Sequence, residues 1–145
     1  MTNSEKLLLT GLKYLGTKEN PFGWDEQVKA WIFASCDSLK ISRPEDDSQF
    51  AWCGCFVSNI LIEAGIWPSN KLHIVAARKF LEVGHDVTRP SLGDLCILER
   101  GPGKGHIGLF INQNIDTVKL LSGNSMDSVS IEDFKKKRIL GYRSL

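Results

Sequence analysis

Near residue 85 the hydrophobic pattern of this chain changes period, and no other feature constrains its fold as strongly. Upstream, apolar residues recur at helical spacing. Leu7, Leu8, Leu12 and Leu15 form one stripe, with Gly16 as a stop. Val28, Trp31, Ile32 and Ser35 form a second, predicting a helix from Trp24 to about Cys36. Cys53, Phe56, Val57, Ile60, Leu61 and Ala64 give the clearest buried face in the chain. Asp47 and Ser48 are the expected caps of that third helix, and Gly65 and Pro68 end it. The spacing predicts a shorter helix over Leu72 to Leu81. Downstream, "GDLCILER", "HIGLFINQ", "TVKLLSGN", "DSVSIEDF" and "RILGYRSL" are short apolar or alternating runs, split by glycine, asparagine and charged turns. They predict an antiparallel meander of about five strands. Helices first and strands second mean an α+β fold, with the helices on one face of the sheet. The chain of 145 residues is expected to be one domain, its helical half at about 1–85 and its sheet half at about 90–145.

The formal net charge is +1. That balance argues against a general nucleic-acid or anionic-membrane binder, and Lys135 to Arg138 reads as a solvated loop or helix end. No apolar run approaches the roughly 20 residues that span a bilayer, so no stable membrane insertion is expected. The opening "MTNSEKLLLTGLKYLG" reads as an amphipathic helix instead of a signal peptide. The expectation is synthesis in the cytoplasm, with any export by another route.

The four cysteines are Cys36, Cys53, Cys55 and Cys96. Cys53 and Cys55 point to different sides of one helix, so they make poor disulfide partners, and reduced thiols are expected. With His73, His85 and His106 they match no standard metal-ligand spacing, and neither a metal nor another cofactor is expected. Cys53 falls in the first turn of its helix. Free backbone N–H groups and the positive end of the helix dipole favour a thiolate there. Cys55 lies about 200° further round, off the apolar stripe. Cys53 is therefore the candidate nucleophile, against the plainer reading of a buried inert cysteine.

A cysteine nucleophile needs a base. His106 follows the flexible "GPGKG" and opens the run "IGLFI", which places it at a strand start at one end of the sheet. His73 and His85 have no such setting and read as structural. The second ring nitrogen of the base needs an orienting group. The following strand ends "LLSGN", where Ser122 and Asn124 share a face, and Asn124 is the candidate.

Five pieces now stand in order: "AWCGCFVSNILIEAGI", "RPSLGDLCILER", "GKGHIGLFI", "LLSGNSMDSVSI" and "ILGYR". Together they resemble the CHAP and NlpC-type cysteine amidohydrolases that cut bacterial peptidoglycan. More narrowly, they resemble a small subfamily of phage endolysins and secreted bacterial amidases. The resemblance covers nearly the whole chain, and "GTKENP" is similar to the opening motif of that group in compressed form.

The resemblance implies a papain-like fold with Cys53 as nucleophile, His106 as general base and later general acid, and Asn124 as third member. It implies Trp52 as a wall of the substrate cleft and Asp94 as a structural residue at the turn into the first strand. Ser122 stands where many CHAP enzymes carry glutamate, and it joins Trp52 as an expected substrate contact. Gly54 and Cys55 replace two small alanines, a change expected to be tolerated. The implied activity is hydrolysis of an amide in the peptide stem of peptidoglycan. The implied settings are an endolysin released through a holin, or an interbacterial toxin delivered by a secretion machine and met by a cognate immunity protein. Either would act in the periplasm or at the cell wall. Two other classes stand beside it: a non-catalytic wall-binding module with the same fold, and a lipid acyltransferase.

Overall fold

A computed structural model describes residues 1–145, the side chain of Gln49 excepted. The fold is α+β, with N-terminal helices packed on a C-terminal antiparallel sheet. Helix α1 spans Asn3–Leu12, and its Thr2–Glu5 capping box satisfies two first-turn donors. Helix α2 spans Glu26–Leu39, capped by Asp25. Helix α3 spans Cys53–Glu63 and turns off at Gly65, whose φ of 74° suits a residue without Cβ.

Two helical expectations differ from the structure. Asp47 and Ser48 do not cap α3. They lie in a short 3₁₀ turn, Asp47–Gln49, capped by Asp46. Asp47 is buried and accepts the backbone N–H groups of Asn20 and Asp25 at 3.1 and 3.0 Å. The N-cap of α3 is Trp52, which makes no side-chain capping bond. The expected helix over 72–81 is also shorter, a 3₁₀ segment at Ala77–Glu82. Serines on α2 and α3 hold the preceding residues out of helical form. Ser38 Oγ accepts from His73 N–H at 3.0 Å. Ser58 Oγ accepts from Ile74 N–H at 2.9 Å and donates to Ile74 C=O at 2.7 Å. Those bonds take the backbone groups a helix would have used.

Six strands make the sheet, one more than expected. They are β1 (His85–Val87), β2 (Leu95–Glu99), β3 (Gly105–Gln113), β4 (Thr117–Ser125), β5 (Ser128–Lys135) and β6 (Ile139–Ser144), in the order β1-β6-β2-β3-β4-β5. Strand β6 does not extend the meander beyond β5. It pairs with β2 on the other side. Only Lys136–Arg138 connects β5 to β6. Four strand spacings of a flat sheet are about 19 Å, more than the roughly 14 Å that such a connection can reach. The sheet must therefore curl.

The curl encloses a second, smaller core of Cys96, Leu98, Phe110, Val118 and Leu120, closed by Phe134, Ile139 and Tyr142. The main core lies between the helices and the outer face of the sheet. Leu7, Ile32, Phe56, Val57 and Leu61 meet Ile97, Ile107, Leu109 and Leu121 there. Alternation along β3 and β4 thus serves two cores, one on each face. Asp94, buried, accepts Ser4 Oγ at 2.6 Å and Ser91 N–H at 2.8 Å, tying α1 to the turn before β2.

Candidate active site

Helix α3 meets the sheet where two strands part. The ladder between β3 and β4 ends at Leu109–Leu121, while β3 stays paired with β2 as far as Glu99–Gly105. The first turn of α3 lies over this split. A Cβ on Gly123 would meet Trp52 Cζ3 at 2.8 Å and Phe56 Cβ at 3.0 Å. Glycine at 123 therefore sets how closely the helix approaches β4.

Cys53 sits at this point and is 2% exposed. Burial raises its pKa. The backbone N–H of Ile107, the charge of Arg100 and the first-turn N–H groups of Gly54 and Cys53 act in the opposite direction. Burial wins, so the resting group is a thiol. The missing side-chain cap matters here. The N–H groups that Asp47 and Ser48 were expected to occupy are left to the sulfur and to whatever binds beside it.

His106 directly precedes the residue whose N–H meets the sulfur. Its Nε2 lies 2.9 Å from Ser122 Oγ, and its Nδ1 is buried with no hydrogen-bond partner. Its cross-strand neighbour is Leu98 and its ring centroid lies 5.3 Å from that of Phe134, so it projects into the curled side of the sheet. Cys53 belongs to the helical side. The two groups meet the same short stretch of β3 from opposite faces, at the gap between β3 and β4, and no hydrogen bond joins them.

His106 was expected to be available at the sheet end; instead it is 1% exposed. Burial, then the nearby charges of Arg100 and Arg138, lower its pKa to about 3. The imidazole is neutral at pH 7.

Asn124 does not orient His106. The pairing of β4 with β5 shifts register between Ser122 and Ser125, and Asn124 has a φ of 57°. The alternation that put Ser122 and Asn124 on one face is broken there. Asn124 lines a separate groove of about 450 Å³ with Glu19, Phe50 and Asp127. Ser122, the expected substrate contact, is the partner of the imidazole, fully buried, and lines neither this groove nor the one that reaches Cys53. Ser122→Ala should leave Nε2 unpaired. The expected outcome is a loss of stability of about 1–3 kcal/mol, partly restored in Ser122→Thr, measured by chemical denaturation.

Trp52 does not wall a cleft either. It is fully buried, stacks on Trp31 at 5.9 Å, and donates its indole N–H to Glu19 at 2.6 Å. Cys55 lines neither groove. It is buried beside Ser35, and burial pushes its thiol up to about 12. His73 is a core histidine, with Nδ1 2.8 Å from Ser35 Oγ. His85 lies in β1, and a three-residue strand with little apolar alternation gave no sequence signal.

One opening leads to Cys53. A groove of about 370 Å³ is lined by Ala51, Cys53, Val75, Ala77, Arg100 and Gly105, among others. No sequence motif marked its far wall, the segment around Val75. The signal was Gly54, because a Cβ there would lie 2.2 Å from Val75 C=O. Among the described residues, no three His, Cys, Asp or Glu side chains come together as a metal site, and no helix is long and apolar enough to cross a membrane.

No known protein family matches the chain, and no curated protein shows significant sequence similarity to it.

Proposed function

We propose that this protein is a cysteine-dependent hydrolase that cleaves an amide bond in the peptide stem of bacterial peptidoglycan. The observation that carries the reaction class is the junction of α3 with β3. A thiol at an uncapped helix start forms part of a groove, and a buried imidazole with one nitrogen held and one unpartnered meets the same stretch of β3 from its other face. The substrate rests on the ordered resemblance of the five sequence pieces and of "GTKENP".

In this mechanism Nδ1 takes the proton, so Nε2 carries a hydrogen and donates it to Ser122 Oγ. Thiol and imidazole are both neutral at rest, so proton transfer accompanies attack. As Cys53 Sγ bonds to the substrate carbonyl carbon, its proton moves to His106 Nδ1. The carbonyl oxygen becomes an oxyanion, and the backbone N–H groups at the start of α3 face that charge. Collapse breaks the C–N bond, and His106 returns the proton to the departing amine. Water, deprotonated by His106, then attacks the thioester carbon; collapse breaks the C–S bond, frees the acid, and His106 returns the proton to the Cys53 sulfur. Sulfur and Nδ1 must close to hydrogen-bond distance for the first step. Catalytic contacts of this kind often tighten only when substrate is bound.

The role would be that of an endolysin or of an interbacterial toxin with an immunity protein. The test is to incubate the wild type and Cys53→Ala with purified peptidoglycan and identify released fragments by mass spectrometry. Fragments from the wild type alone support the reading, and their new ends name the bond. Binding without cleavage by either protein would replace it with a wall-binding module.

A further inference from the structure

We propose that Arg100, with Lys104 beside it, selects substrate by taking a carboxylate carried next to the scissile amide. This builds on the reading of the Cys53 groove as the place where that amide lies.

The position comes first. Arg100 follows β2, and a tight turn fixes its backbone: Arg100 N–H donates to Lys104 C=O at 3.2 Å, and Lys104 N–H to Gly101 C=O at 3.0 Å. Its side chain borders both the Cys53 groove and the neighbouring groove that holds Asn124, with Ala51 shared between them. A chain laid across Cys53 from one groove to the other would pass Arg100.

The charge is one-sided. Arg78, Arg100 and Lys104 line the thiol groove, and none of its lining residues is acidic. Arg78 is already committed. Its guanidinium donates to Lys104 C=O at 2.8 Å and Gly101 C=O at 3.3 Å, and lies 3.8 Å from Glu99. It thereby steadies the turn that presents the other two. Among the described residues, neither Arg100 nor Lys104 has a carboxylate partner within ion-pair distance.

The chemistry selects the ligand. A guanidinium beside an apolar wall (Val75, Ala76 and Ala77) is matched best by a planar anion that accepts two parallel N–H bonds. A carboxylate satisfies that geometry and a carboxamide does not. Stem peptides carry such carboxylates, free or amidated. The field of Arg100 also reaches both Cys53 and His106, which puts its partner close to the reacting atoms.

The experiment uses muropeptides from one wall preparation, half of them with their stem carboxylates converted to amides. Binding to Cys53→Ala is measured by calorimetry at fixed ionic strength, then repeated on Cys53→Ala/Arg100→Gln. The free acids should bind about tenfold tighter than the amides to the first protein and within about twofold of them to the second, with Lys104→Gln between. Equal affinity for both forms, no binding of either, or an unchanged ratio without Arg100 would overturn the proposal. Circular dichroism checks that each variant is folded. Cleavage by the wild type is scored separately. Selective binding without cleavage keeps the role of Arg100 and removes the hydrolase. Cleavage of acids and amides at equal rates, with equal affinities, keeps the hydrolase and removes that role.

Discussion

On the proposed mechanism, His106→Gln, like Cys53→Ala, is expected to lower peptidoglycan hydrolysis at neutral pH by about 10⁴-fold, and the double variant to be no worse than either alone. On that mechanism one proton passes between two atoms. Without the Cys53 sulfur no thioester forms. Without His106 nothing takes the thiol proton, and burial keeps that proton in place. Losses that multiplied in the double variant would show that the two residues act separately, and the proposed pair would be abandoned. Turnover of a soluble muropeptide, with circular dichroism to confirm folding, decides it.

The same substitution has a second readout. The pKa of folded His106 lies near 3, below the ordinary value of 6.5. A histidine that must stay neutral to remain buried favours the folded state fully above the unfolded pKa. That contribution is lost as pH falls from about 6.5 towards 3, because the unfolded chain binds the proton first. His73, whose pKa is also lowered by burial, contributes in the same direction. Wild type should therefore lose stability steeply over this window, and His106→Gln less steeply, in denaturant titrations at a series of pH values.

The sequence made the elements legible where one period ran long enough. The three helices and five of the strands follow from stripes such as Val28–Trp31–Ile32–Ser35 and from the alternating runs after residue 90. β1 escaped because a half-exposed three-residue strand has no core of its own to show. The curl escaped for another reason. Period-2 alternation tells which residues share a face, but not that both faces of β3 are buried, nor that β6 returns to β2. The burial of His106 depends on that curl. The choice of Ser122 over Asn124 depends on a one-residue bulge, which no single-sequence pattern marks. Trp52 illustrates the converse. An aromatic beside a reactive cysteine suggests a cleft wall, yet here its ring fills the space between Trp31 and Gly123.

Gly54→Ala is expected to destabilise the fold by about 1–3 kcal/mol, a drop in Tm of several degrees, and to depress the proposed hydrolysis beyond what lost stability explains. As a sequence feature, Gly54 is one small residue in place of another. In the structure the backbone at Val75 crosses directly over it. An added Cβ would lie 2.2 Å from the Val75 carbonyl oxygen and 2.8 Å from its carbon, contacts with backbone that no rotamer can relieve. Either α3 withdraws, moving Cys53 from the Ile107 N–H, or the segment around Val75 lifts and reshapes the groove. That segment is held by Ser58, which bonds both polar groups of Ile74. Ser58→Ala should itself cost about 1–3 kcal/mol by stranding them. Once Ser58 no longer holds the segment, Gly54→Ala has less to strain against, so the two losses should sum to less than their separate values. Chemical denaturation of the two single variants and the double gives the coupling directly. Full additivity would mean that Gly54 and the Val75 segment do not press on one another, and the steric account of this glycine would fail.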